Sequence, residues 1–181
     1  MSRILVVYYS RSGHTKQIAE QLARALAADV EAIADPTDRS GLRGYLRSGF
    51  EATTQRVVPI AACTHDPNDY ELVVIGTPIW GMSVSAPVRS YLHRYQDRLR
   101  KVAFFCTCGG SGGERAFAQM SRACGLSPAA TLIVREAELP HAEPKIAQLV
   151  RQLGDAVTAG PSPRADGHSP RDSRSRTGAG R

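Results

Sequence analysis

Short strand-like runs alternate with helix-periodic stretches along most of this chain, and that alternation restricts the fold more than any other feature. Arg3-Ile-Leu-Val-Val-Tyr-Tyr9 is rich in β-branched and aromatic residues, as a strand buried on both faces requires. Ile18, Leu22, Ala25 and Leu26 then recur at helical spacing through about Ala28. Asp29–Ala34 is a weaker second strand, closed by Asp35-Pro36. Glu71–Gly76, Lys101–Cys106 and Ala130–Val134 supply three more strands, with helices expected over Ala86–Tyr95 and Glu114–Cys124 between them. Pro144 suits the first turn of a last helix, whose apolar stripe is Ile146, Leu149, Val150 and Leu153. Strands separated by helices pair in parallel through right-handed crossovers. The predicted fold is an α/β three-layer α/β/α sandwich around a five-stranded parallel sheet, order 2-1-3-4-5.

At 181 residues the chain suits one domain. No run approaches the ~18 apolar residues of a membrane span. Ile4 to Tyr9 is too short for the apolar region of a signal peptide, and no small-residue cleavage site follows it. A cytoplasmic protein is therefore expected. Cys63, Cys106, Cys108 and Cys124 are too few for a disulfide scaffold, and the C-x-C spacing of Cys106 and Cys108 completes no zinc pattern. Reduced thiols on or beside a strand are expected.

The net charge of +6 raises the question of a nucleic-acid partner. Its distribution disfavours one. In residues 158–181, 11 of the 24 are Gly, Pro or Ser, and none is Val, Ile, Leu, Met or aromatic. Such a segment cannot bury enough apolar surface to offset its ordering entropy. It carries five Arg and two Asp, a net +3, while the remaining 157 residues carry 18 basic and 15 acidic groups, again +3. The boundaries expected are a folded domain at 1–157 and a disordered basic C-terminal tail at 158–181.

In open α/β sheets, ligands bind beyond the C-terminal strand ends at the topological switch point. Three loops of unusual composition fall there, after strands one, three and four. Ser10–Thr15 offers hydroxyls at Ser10, Ser12 and Thr15 around Gly13, where a helix begins and its amide N–H groups attract phosphate. It is neither a Walker A loop nor G-x-G-x-x-G, and an ordinary Ser N-cap with a Gly turn has the same composition. Thr77–Met82 holds the only tryptophan, Trp80, suited either to stacking on a flat ring or to capping the next helix. Thr107–Gly113 is glycine-rich, as a close backbone approach or a bare turn requires.

The run Tyr9-Ser10-Arg11-Ser12-Gly13-His14-Thr15 resembles the [ST]-x-[ST]-G-x-T phosphate loop of the flavodoxins, which also follows the first strand. The resemblance extends over roughly residues 3–155. It implies bound flavin mononucleotide (FMN), with Ser10, Ser12, Gly13, His14 and Thr15 around the phosphate. It places Pro78, Ile79, Trp80 and Gly81 beside the isoalloxazine ring, and Thr107, Cys108, Gly109 and Gly110 at the pyrimidine edge. Arg11 and Lys16 either add positive charge or face water. Two departures stand out: ordinary flavodoxins are acidic, and many stack an aromatic residue of the third loop on the ring. A mildly basic body stabilises the negative charge of the reduced flavin, so a less strongly reducing flavin is expected.

Two functions follow from the resemblance. One is an electron-transfer protein serving a redox partner protein. The other is an FMN-dependent oxidoreductase that passes electrons from NAD(P)H to a quinone or small-molecule acceptor, a protoporphyrinogen-oxidase-like subclass included. Nothing in the spacing selects an acid or base, although His14 and Tyr45 carry suitable groups. Phosphatase chemistry is disfavoured, because six residues separate Cys108 from Arg115 where the phosphatase loop allows five positions. A phosphoacceptor domain needs acidic residues where strand one ends in Tyr8-Tyr9-Ser10. Between the second and third strands, Leu42, Leu46 and Phe50 recur at helical spacing beside Arg39, Arg43 and Arg47, which describes either a packed helix with a solvated basic face or a cover near the flavin.

Overall fold

The computed structural model describes residues 3–34 and 58–158. The elements are β1 (Ile4–Tyr8), α1 (His14–Leu26), β2 (Asp29–Ala32), β3 (Leu72–Trp80), β4 (Ser83–Val84), α2 (Ala86–Tyr95), β5 (Val102–Cys108), α3 (Gly113–Cys124), β6 (Thr131–Arg135) and α4 (Glu143–Thr158). The Arg39/Arg43/Arg47 stripe, Tyr45 and residues 159–181 lie outside the described residues.

Five strands form a parallel sheet in the order β2-β1-β3-β5-β6. This is the predicted order once the parallel strands are counted along the chain. The sequence reading had no sixth strand: β4 pairs antiparallel with the far end of β3 through Ile79↔Val84 and Trp80↔Ser83.

Side-chain alternation divides the core into two layers. Leu5 and Val7 of β1, Val73 and Ile75 of β3, and Val102 and Phe104 of β5 pack with Val88, Tyr91 and Leu92 of α2 and Ala116, Phe117 and Met120 of α3. Their neighbours Val6, Tyr8, Val74, Ala103 and Phe105 face the other way, onto Ile18 and Leu22 of α1 and Ile146, Leu149 and Leu153 of α4. Phe104 and Phe105 are both fully buried, and each such side chain stabilises the fold by about 1.5–3 kcal/mol. In α1 the buried face is Ile18, Ala19, Leu22 and Ala23. Ala25, expected inside, is exposed.

Polar groups close the β2 edge. The buried Glu31 carboxylate accepts from the backbone N–H groups of Thr64 (3.1 Å) and His65 (3.2 Å), and lies 2.6 Å from His65 Nδ1. Tyr70 donates its hydroxyl to Asp29 Oδ2 at 2.7 Å. Burial, then that hydrogen bond to a carboxylate, pushes the Tyr70 hydroxyl up to about 12. No helix among the described residues is long and apolar enough to cross a membrane.

Candidate functional site

The C-terminal ends of β1, β3 and β5 bring the three singled-out segments side by side, because those strands are neighbours in the sheet. The first segment leaves β1 and turns into α1 at Gly13, whose φ of 92° suits glycine far better than other residues. Ser10 Oγ accepts from the Gly13 N–H at 3.1 Å and so holds the turn. The first intrahelical bond runs from Gln17 N–H to Gly13 O, so the N–H groups of His14, Thr15 and Lys16 have no helical acceptor. Ser12 and Gly13 are exposed beside them. A side chain at Gly13 would meet nothing within 4 Å, so its conformation rather than crowding is what calls for glycine. His14 stands 3.6 Å from Glu136 Oε1, with both side chains well exposed.

The second segment differs from its expected form. Thr77, Pro78, Ile79 and Trp80 are not loop but the continuation of β3, and Pro78 still pairs with Thr107 across the sheet. Beyond that point the strand pairs only with β4, through a two-residue turn. Gly81 (φ 54°) and Met82 (φ 60°) both occupy the left-handed region that a type I′ hairpin turn requires. Pro78 and Gly81 read as loop punctuation, yet the β-forming Ile79-Trp80 and Ser83-Val84 dominate. Trp80 is half-buried; its ring meets Tyr9 edge-on at 5.9 Å, and the Arg11 guanidinium lies 5.2 Å over it. Helix residues brace this ribbon from behind. Val84 N–H donates to Gln119 Oε1 (3.1 Å), Gln119 Nε2 donates to Ser83 Oγ (3.2 Å), and Ser85 N–H donates to Thr77 Oγ1 (3.1 Å).

The third segment also begins inside a strand: Thr107 and Cys108 belong to β5 and pair with Val134 and Arg135. Thr107 Oγ1 and Thr15 Oγ1 share a hydrogen bond of 2.8 Å in a buried setting, which ties the third segment to the first. Gly109 and Gly110 are exposed, and nothing approaches a Cβ built on Gly110 within 4 Å. The Gly110 carbonyl accepts from Arg135 Nε (3.3 Å) and, weakly, from the Cys108 thiol (3.6 Å). Burial pushes the Cys108 thiol up, which keeps it neutral and argues against a thiolate nucleophile. Gly112 ends the loop in a left-handed conformation (φ 106°) against Met82.

The three segments therefore lie at the same, C-terminal end of the sheet, where Thr15, Pro78, Thr107 and Cys108 are buried and Ser12, Gly13, Gly81, Gly109 and Gly110 are exposed. Their neighbours Gln119, Arg135 and Glu136 escaped the sequence reading. Met82 closed the second loop in the sequence reading, but its left-handed conformation (φ 60°) has no local signature. Gln119 and Arg135 lie remote in sequence, and only the packing brings them in.

A flavodoxin family model matches residues 3–133. The chain belongs to the flavodoxin family. Among solved structures, a flavoprotein from Lactobacillus acidophilus NCFM in complex with FMN is 20% identical, with a TM-score of 0.65 over 77% of this chain and 97% of that one. A flavoprotein from Bacteroides eggerthii DSM 20697 is 21% identical, with a TM-score of 0.69 over 87% of this chain and 99% of that one. The rubredoxin oxygen:oxidoreductase of Desulfovibrio gigas is 16% identical, with a TM-score of 0.50 over 88% of this chain but only 38% of that one. A comparison with curated proteins returned no match. At these identities the solved structures speak for a flavodoxin fold.

Proposed function

We propose that this flavodoxin-family chain binds FMN and acts in electron transfer. One observation carries the reading: three strand ends present helix-start amide donors, a half-buried indole and an exposed glycine pair around the same open edge of the sheet. In this reading the phosphate takes the first segment and the ring edge takes the third, where Gly109 and Gly110 are exposed. The similar Lactobacillus flavoprotein, solved with FMN, supports the same choice of ligand.

FMN supplies one- and two-electron redox chemistry, while the protein's part is to bind, orient and tune it. Ser10 has a positioning role, since it fixes the Gly13 turn and with it the direction of the His14, Thr15 and Lys16 amides. Ser12 and Thr15 bring hydroxyl donors. Pro78, Ile79, Trp80 and Gly81 form the wall beside the ring. Thr107, Cys108, Gly109 and Gly110 form the opposite rim, whose backbone Arg135 orients through the Gly110 carbonyl.

A second reading, an FMN-dependent oxidoreductase fed by NAD(P)H with a quinone as acceptor, is favoured by one feature. The body carries +3 where acidic carriers dock on basic reductases, so it suits an anionic small-molecule donor or an acidic partner. The deciding experiment is a visible spectrum of the purified protein incubated with FMN, followed by anaerobic addition of NADPH. Protein-bound flavin absorbance that persists through gel filtration supports both readings, and a protein that stays colourless overturns both. Bleaching by NADPH without a partner reductase selects the oxidoreductase; an unbleached flavin selects the carrier.

A further inference from the structure

Away from the strand ends, α2 and α3 enclose a cavity of about 210 Å³ lined by Arg89, His93, Gln119, Arg122 and Ala123. Arg89 and Gln119 are buried and form its floor, while His93 and Arg122 are exposed and form its rim. Among the described residues that line it, three of the five side chains are basic and none is acidic. The volume far exceeds the ~10–15 Å³ that a single water needs.

Guanidinium groups present planar forks of N–H donors that match carboxylate and phosphate oxygens. Basic groups gathered around a concavity with low-dielectric walls also raise the local anion concentration. The floor has a structural connection as well. Arg89 Nη2 donates to Val84 O at 3.1 Å, and Gln119 holds Val84 N–H and Ser83 Oγ. The cavity thus backs onto the ribbon that carries Trp80.

We propose that this cavity is a binding site for a small oxyanion, a carboxylate or phosphate group held by Arg89, His93 and Arg122. It is distinct from the three segments at the strand ends and does not depend on FMN.

The test is an NMR titration of the ¹⁵N-labelled full chain with inorganic phosphate and, separately, with acetate. Saturable shifts are expected in the Arg89 and Arg122 Nε–H signals, the His93 ring and the Val84 amide, with at least one probe. A response to phosphate alone assigns a phosphate group, and a response to acetate assigns a carboxylate. Arg122→Gln, at an exposed position, is expected to leave the remaining amide spectrum in place and to weaken that binding about fivefold or more. Phosphate that moves only the Ser12, Gly13 and Thr15 amides, with acetate silent, would overturn the proposal. So would saturation at the same affinity in the Arg122→Gln protein.

Discussion

Gly112 illustrates how a single backbone conformation joins two parts of the site. Its φ of 106° disfavours any L side chain, and a Cβ there would lie 2.8 Å from Met82 Cα. Gly112→Ala is therefore expected to destabilise the protein by about 1–3 kcal/mol, readable by urea unfolding. It also pushes the third segment away from the Gly81-Met82 turn, so FMN affinity by fluorescence titration is expected to fall with stability. Tyr91 gives the opposite sign. Its ring is fully buried and its hydroxyl has no hydrogen-bond partner among the described residues. Burial raises its pKa, which keeps the group neutral but still desolvated. Removing the oxygen removes a desolvation penalty of about 1–3 kcal/mol without creating a cavity. Tyr91→Phe is expected to melt at the same temperature as the parent or higher, and a clearly lower melting temperature would disprove that account.

At the scale of elements, the junction between β6 and α4 is held by charge. Glu138 accepts from Lys145 Nζ at 2.7 Å and from the Arg135 N–H at 2.8 Å, and Lys145 also donates to the Ile133 carbonyl. The Lys145 ammonium first, and then the Arg135 N–H, hold the Glu138 carboxyl down at about 2. A carboxylate lowered on folding contributes stability that is complete above its ordinary value and is lost as pH falls through its folded value. From about pH 5 to about pH 2, then, the parent is expected to lose stability more steeply than Glu138→Gln. Urea midpoints across that range check it; parallel curves would exclude the role. Element lengths were the harder part to read from sequence. Leu72–Ile75 announced β3 through its apolar run, but Thr77-Pro78-Ile79-Trp80 extends it where Pro and Gly signalled a loop. Thr107 and Cys108 extend β5 likewise, because their ladder partners in β6 lie nearly thirty residues away. Local composition carries no trace of such pairing.

Across the whole molecule, strand order alone brings the three singled-out segments to one end of the sheet. The alternation of apolar runs sufficed for the parallel sheet, and the Ser10–Thr15 run sufficed for the turn at Gly13 that opens α1. The braces behind that site, Gln119 on α3 and Arg135 after β6, were illegible because they arise from crossovers that close only in three dimensions. Charge is the other molecular-scale property. Arg135 reaches the Gly110 carbonyl in the third segment, so its positive charge acts on whatever ring edge that segment holds. Its side chain is 56% exposed, which limits its effect to roughly 1 kcal/mol or less. Arg135→Gln is expected to make the bound flavin more strongly reducing by roughly 10–20 mV for a two-electron couple. An anaerobic potentiometric titration measures this, and an unchanged or less negative potential would disprove it. The β3–β4 ribbon has one more consequence. Trp80 and the turn after it stand outside the parallel sheet and are closed by residues adjacent in sequence. Ser83 and Val84 are buried and held by Gln119, but Met82 is 48% exposed, so substitutions at Met82 can change the surface beside Trp80 while the ladder registers of β1, β3 and β5 stay untouched. Within this architecture, the surface at the turn can vary without repacking the core beneath it.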